Sequence, residues 1–246
     1  MAKIQFGKWL GGGLGWAFGG PLGGILGFAL GSAFDAASVT VSTEKTQIPG
    51  GAPHVGDFTA SLLVLSAAVM KSDGKILKSE LEYVRKFLAR QFGENAAQQQ
   101  LLVLKEILKQ EIPLHQVCIQ IKQYMPHSER LQIIHYLFGI SKADDHVDEK
   151  ELHTIHTIAN YLGISAADFN SLKAMYFKDI HSDYRILEIE TIVSDMEVKK
   201  AYRKMAVKFH PDKVAALGDD VQKGAHEKFQ QVQQAYENIK KQRGFS

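Results

Sequence analysis

Residues 199–213 read Lys-Lys-Ala-Tyr-Arg-Lys-Met-Ala-Val-Lys-Phe-His-Pro-Asp-Lys, and this stretch decides how the C-terminal part of the chain is built. Val198, Ala201, Tyr202, Met205 and Phe209 recur at three- and four-residue spacings, which is one face of a helix. Lys199, Lys200, Arg203, Lys204 and Lys208 fill the opposite face. Pro211 disfavours helical backbone at His210, so the helix is expected to stop there. Upstream, Ser194 followed by Glu197 is a capping box that opens this helix, and Asp183 to Leu187 reads as a short helix before it. Downstream, a polar loop from Val214 to Lys223 precedes a second stripe of Phe229, Val232, Ala235, Tyr236 and Ile239. Two helices on a tight connection form an antiparallel hairpin, and the two stripes are its expected core.

The region from Asp57 to Lys178 is also helical in pattern, with Leu62, Leu65, Val69 and then Leu81, Val84, Leu88 at helical spacing. Ser79 with Glu82, and Asp148 with Glu151, read as capping boxes. A repeat is visible: Asp144 and Glu151 lie 71 positions after Asp73 and Glu80, and each pair reads as helix, acidic turn, helix. A duplicated pair of this kind is expected to bury its two apolar faces against one another. The acidic residues have two readings, as caps in first helical turns, where the macrodipole favours them, or as ligands of a divalent metal. His146, His153 and His156 cluster nearby, and a solvated histidine face is expected.

From Trp9 to Phe34 the chain carries no charge, and Gly7, Gly11, Gly15, Gly19, Gly23, Gly27 and Gly31 recur at every fourth position. As one helix this stretch is ~39 Å long, enough to span a hydrocarbon core of ~30 Å with tilt. Each glycine costs a water-exposed helix roughly 1 kcal/mol relative to alanine, whereas in lipid a glycine face lets another backbone approach closely. The expectation is a membrane-spanning helix, in contact with lipid, that self-associates through that face. A re-entrant hairpin breaking at Gly19-Gly20-Pro21 is the rival reading. Residues 36–56, with Pro49-Gly50-Gly51 and Pro53, read as a linker.

Composition narrows the function classes. A net charge of +2 gives no global field for nucleic acid, and no aromatic reading platform accompanies the basic helix. The single cysteine, Cys118, lies among Val117, Ile119 and Ile121 and is expected to be a buried, inert thiol. No nucleophile elbow, Walker loop, dinucleotide fingerprint or zinc-peptidase spacing is present, so an enzyme is not expected.

The run from Lys199 to Lys213, with Lys228-Phe229 and Ala235-Tyr236-Glu237, resembles the J-domain of DnaJ-type co-chaperones over residues 182–246. That resemblance implies docking on a DnaK-type heat-shock ATPase, with His210, Pro211 and Asp212 triggering the partner and Lys199, Lys200, Arg203, Lys204 and Lys208 steering it. The acidic-turn repeat in residues 57–180 resembles the TerB family of tellurite-resistance-associated domains. There the resemblance implies Asp73, Glu80, Asp144 and Glu151 as divalent-metal candidates, although Asp145 stands where that family favours glycine. With the glycine-rich segment in residues 1–35, the order is similar to the DjlA type of membrane-anchored co-chaperone. The fold expected is all-α: a glycine-zipper transmembrane helix, a TerB-like bundle and a J-domain hairpin. The function expected is recruitment of the ATPase at the bacterial inner membrane, single-pass, with the J-domain in the cytosol and no cofactor required. A metal-binding stress-response protein is the alternative.

Overall fold

The structure, a computed structural model, describes residues 6–36, 53–143, 148–179 and 181–245. Eleven α-helices and one 3-10 turn make up its regular structure, and no strand occurs among the described residues. The central unit contains α2 (Pro53–Met70), α3 (Lys78–Phe92), α4 (Glu94–Ile107), α5 (Leu114–Tyr124), α6 (His127–Ser141), α7 (Glu149–Tyr161) and α8 (Ala166–Tyr176). Helix α6 is apolar nearly all round, as a fully enclosed helix must be. Leu131, Ile133, Ile134, Leu137, Phe138 and Ile140 are each at most 1% exposed, and α2, α3, α5, α7 and α8 all pack on it. Leu62, Leu65, Val69, Val84 and Leu88 are buried as their spacing required. Cys118 is buried among them, and burial pushes its thiol up to about 12, so it is inert at neutral pH.

The C-terminal unit consists of α9 (Ser182–Ile186), α10 (Asp195–Lys208), the 3-10 turn Pro211–Leu217 and α11 (Asp219–Arg243). Val198, Met205 and Phe209 of the first stripe meet Val232, Ala235 and Ile239 of the second, all buried. Tyr202 stacks on Tyr236 with centroids 4.4 Å apart. The connection expected as a loop over 214–223 is shorter. Val214 and Leu217 are buried anchors of the 3-10 turn, and α11 already begins at Asp219.

The N-terminal helix α1 (Phe6–Ala36) departs from the expected single span. It breaks at Gly20 (φ 61, ψ −155), a left-handed conformation open to glycine and followed by Pro21. The two halves fold back on each other. A Cβ on Gly15 would enter the Gly23 carbonyl, and one on Gly12 would lie 3.3 Å from Cβ of Phe28. At Gly15 and Gly23 the glycine face expected to pair two copies packs within one chain. Leu22, Ile25 and Ala29 of the second half bury against α4 and α5. The Gln120 amide donates to the Gly19 carbonyl at 2.8 Å and accepts from the Leu22 N–H at 3.0 Å, satisfying backbone groups freed by the break. Ser32 donates to Glu106 at 2.8 Å. No described helix is long and apolar enough to cross a membrane. The linker expected over 36–56 is shorter at its C-terminal end, because Pro53 starts α2; residues 37–52 lie outside the described residues.

Candidate functional site

Helix α10 opens on the expected capping box. The Ser194 hydroxyl accepts from the Glu197 N–H at 3.3 Å, and the Glu197 carboxylate accepts from the Ser194 N–H at 2.8 Å. Those hydrogen bonds hold the Glu197 carboxyl below its ordinary value. The helix ends at Lys208, and His210 takes extended backbone (φ −62, ψ 130), as its following proline demands. His210 then caps the 3-10 turn: its Nδ1 accepts from the Asp212 N–H at 3.3 Å. The ring meets Phe229 edge-on at 5.9 Å, so α11 fixes its orientation. The His210 side chain is half exposed and that of Asp212 is 88% exposed. The tripeptide is thus a rigid, outward-facing knuckle, anchored beneath by Val214 and Leu217.

Of the five cations expected beside it, Lys200, Arg203 and Lys204 are exposed. Lys199 lies over the Phe245 ring at 5.5 Å, where the chain end packs back on the helix. Lys208 does not face solvent. It is mostly buried between the carboxylates of Glu188 and Asp168, and Asp168 belongs to the central unit. The sequence reading also missed Val207, which is 63% exposed on the same face as Arg203 and Lys204. An apolar residue at a charged-face position next to His210-Pro211-Asp212 was the available signal. A cationic face with one apolar knob and a fixed turn can bind an acidic, partly apolar protein surface; it holds no group placed for covalent chemistry.

The acidic repeat is brought together in part. Glu80 is 1% exposed and Glu151 is 5% exposed, and the two buried carboxyls lie close enough for each to act on the other. Two buried carboxyls in contact must share a proton. Burial first, and then the partner carboxylates, push Glu80 up to about 8; burial raises Glu151 as well. Glu80 also accepts from the Leu77 N–H at 2.7 Å, so Glu80 reaches back over the start of α3, not Glu82 as the spacing of Ser79 suggested. Asp148 caps α7 through the Lys150 N–H at 2.7 Å. Asp73 closes its own turn on the Lys75 N–H at 2.8 Å. Asp144 and His146 lie outside the described residues, and His153 and His156 are exposed. Among the described residues no three candidate ligands gather around one point, and Asp73 is the further carboxylate that acts on the pair Glu80 and Glu151.

Comparison with known proteins gives three family matches along the chain. Residues 59–174 match tellurite resistance protein TerB, residues 182–243 match the DnaJ domain, and residues 1–45 match the co-chaperone DjlA transmembrane domain. The co-chaperone protein DjlA of Vibrio vulnificus strain CMCP6 is 29% identical over 242 residues, covering 81% of this chain and 83% of that one. That of Haemophilus ducreyi is 25% identical over 233 residues, with 76% and 80% covered. The chaperone protein DnaJ of Fusobacterium nucleatum subsp. polymorphum is 44% identical over 63 residues, 24% of this chain and 16% of that one. No solved structure matches.

Proposed function

The chain belongs to the DjlA type of co-chaperone, and on that premise we propose that it recruits a DnaK-type ATPase at a membrane and stimulates ATP hydrolysis in it. The observation that carries this reading is the exposed His210-Pro211-Asp212 knuckle, held rigidly at the end of a helix that exposes Lys200, Arg203 and Lys204. Lys200, Arg203 and Lys204 steer an acidic partner by long-range attraction. Val207 and the knuckle then make the short-range contact that biases the partner toward hydrolysis. The bond-breaking chemistry occurs in the partner, so this chain supplies position and charge and is not itself an enzyme.

The N-terminal hairpin is the proposed anchor in the bacterial inner membrane, with lipid around its uncharged faces. The J-domain faces the cytosol, because the ATPase and its ATP are there. The single pass expected from the sequence requires the break at Gly20 to straighten, and pairing of two copies through the glycine face requires the hairpin to open. The test is single-turnover ATP hydrolysis by a DnaK-type partner with the full chain in lipid nanodiscs. Stimulation that weakens with rising salt is expected; none at any salt refutes the proposal.

The alternative, a metal-binding stress protein, draws support only from the buried pair Glu80 and Glu151. It requires a divalent-cation shift of the melting temperature that is lost on Asp73→Asn or Glu80→Gln.

A further inference from the structure

We infer that the central domain is a second, intramolecular docking surface for the J-domain, and that Asp168 competes with the partner ATPase for the C-terminal end of α10. This rests on the co-chaperone reading and adds to it the control of that same site. Asp168 lies in the first turn of α8. Its carboxylate takes the Ser165 hydroxyl at 2.7 Å, and its N–H donates to that hydroxyl at 3.1 Å, so it is fixed before Lys208 arrives. The Asp168 side chain is 6% exposed and that of Lys208 is 18% exposed. Glu188, also 6% exposed, completes the enclosure of the ammonium and holds Lys204 at 3.2 Å. Glu188 is in the left-handed region (φ 58), uncommon for a side-chain-bearing residue, where it ends α9. His127 stands 3.5 Å from Asp168.

The contact extends past the ion pair. The 3-10 turn that follows His210 is seated on α2 and α6. Gln91 of α3 donates its amide to the Leu217 carbonyl. One flank of the knuckle is therefore occupied by the central domain, while the face carrying Arg203, Lys204 and Val207 stays open. An acidic partner surface that closes fully on the knuckle and on Lys208 must displace Asp168.

A second feature weakens the docked arrangement. Val221, Ala225, Lys228 and Val232 form one stripe of α11, and Lys228 stands where the pattern calls for an apolar residue. It is fully buried, and its ammonium meets the neutral side-chain carbonyl of Gln132 on α6. A buried ammonium hydrogen-bonded to an amide costs free energy, and desolvation, only partly offset by the neighbouring Glu227 carboxylate, lowers its pKa well below the ordinary lysine value. Docking is thus favoured by the Asp168–Lys208 ion pair, the Gln91 hydrogen bond and the seat of the 3-10 turn on α2 and α6, and opposed by one buried lysine, so competition at Asp168 can shift it.

Two variants on the central domain test this and leave every J-domain residue intact. Asp168→Asn keeps an acceptor for Ser165 and removes the charge; Gln132→Glu gives Lys228 a carboxylate. With the full chain in nanodiscs, Asp168→Asn is expected to lower the concentration giving half-maximal ATPase stimulation roughly fivefold, and Gln132→Glu to raise it by a similar factor. Deuterium uptake at residues 127–135 and 211–217 should rise in the first variant and fall in the second, without any partner present. Unchanged uptake in both, or Asp168→Asn weakening stimulation at wild-type uptake, overturns the inference. If the wild type and His210→Gln are equally inactive, the co-chaperone reading fails, and the uptake measurement still decides whether the two domains are held by Asp168.

Discussion

Replacing Glu80 by glutamine should flatten much of the pH dependence of the central domain's stability, leaving the part that the buried Glu151 carboxyl contributes. Burial and the neighbouring carboxyls raise Glu80 from 4.5 to about 8 in the folded state. A carboxyl whose folded value is raised contributes stability that is fully present below about 4.5 and is lost as pH rises through about 8. Each unit is worth about 1.4 kcal/mol, so the window between these values spans on the order of 3–5 kcal/mol. For a bundle of this size that is roughly 10–20 °C of melting temperature. In Glu80→Gln the amide N–H supplies the hydrogen bond to Glu151 that the shared proton supplies in the wild type, and it does so at every pH. Thermal unfolding followed by far-ultraviolet circular dichroism at pH 5, 7 and 9 makes the comparison. The wild type should lose stability across this series and the variant should lose a small fraction of it. Equal slopes in the two proteins would refute the shared proton.

Three further outcomes follow from other contacts. Cys118, pushed up to about 12 by burial, should resist alkylation at pH 8 in the folded chain and react promptly in denaturant, as mass spectrometry of the adduct would show. Ser194→Ala removes the hydroxyl that caps α10 and should cost about 1 kcal/mol in denaturant unfolding of the J-domain. A cysteine pair at Gly12 and Phe28, in a Cys118→Ser background, should form a disulfide across the α1 hairpin, because a Cβ at position 12 lies 3.3 Å from that of Phe28. Adding Gly15→Leu should abolish that bond, since its side chain would displace the Gly23 backbone; a bond formed equally well would mean the halves do not pack this way.

Local patterns carried most of the fold into view. The box at Ser194 and Glu197, the stop before Pro211 and the two facing stripes of the J-domain all depend on neighbours within one helix, so spacing alone suffices. What spacing could not show depends on distant partners. Lys208 looks like its neighbours on the basic face until Asp168, far back in the chain, is folded beside it. Lys228 enters the sequence reading only as part of the J-domain match, and its burial shows once Gln132 is brought opposite. The glycine period describes a close-packing face, but only the left-handed backbone at Gly20 decides that the packing partner is the other half of the same helix. The repeat relating Glu80 to Glu151 was legible, and its consequence, one proton between two buried carboxyls, required the packing of α3 and α7 around α6.

The central claim concerns what His210 does to another protein. The most direct measurement compares single-turnover ATP hydrolysis by a DnaK-type partner with the full chain and with its His210→Gln variant, both in nanodiscs and both with unchanged circular dichroism. Glutamine leaves the α10 basic face and Pro211 in place and removes the imidazole, with its cap on the Asp212 N–H and its edge-on contact to Phe229. Stimulation by the wild type and its loss in the variant is the predicted result. Equal stimulation by the two would contradict the account.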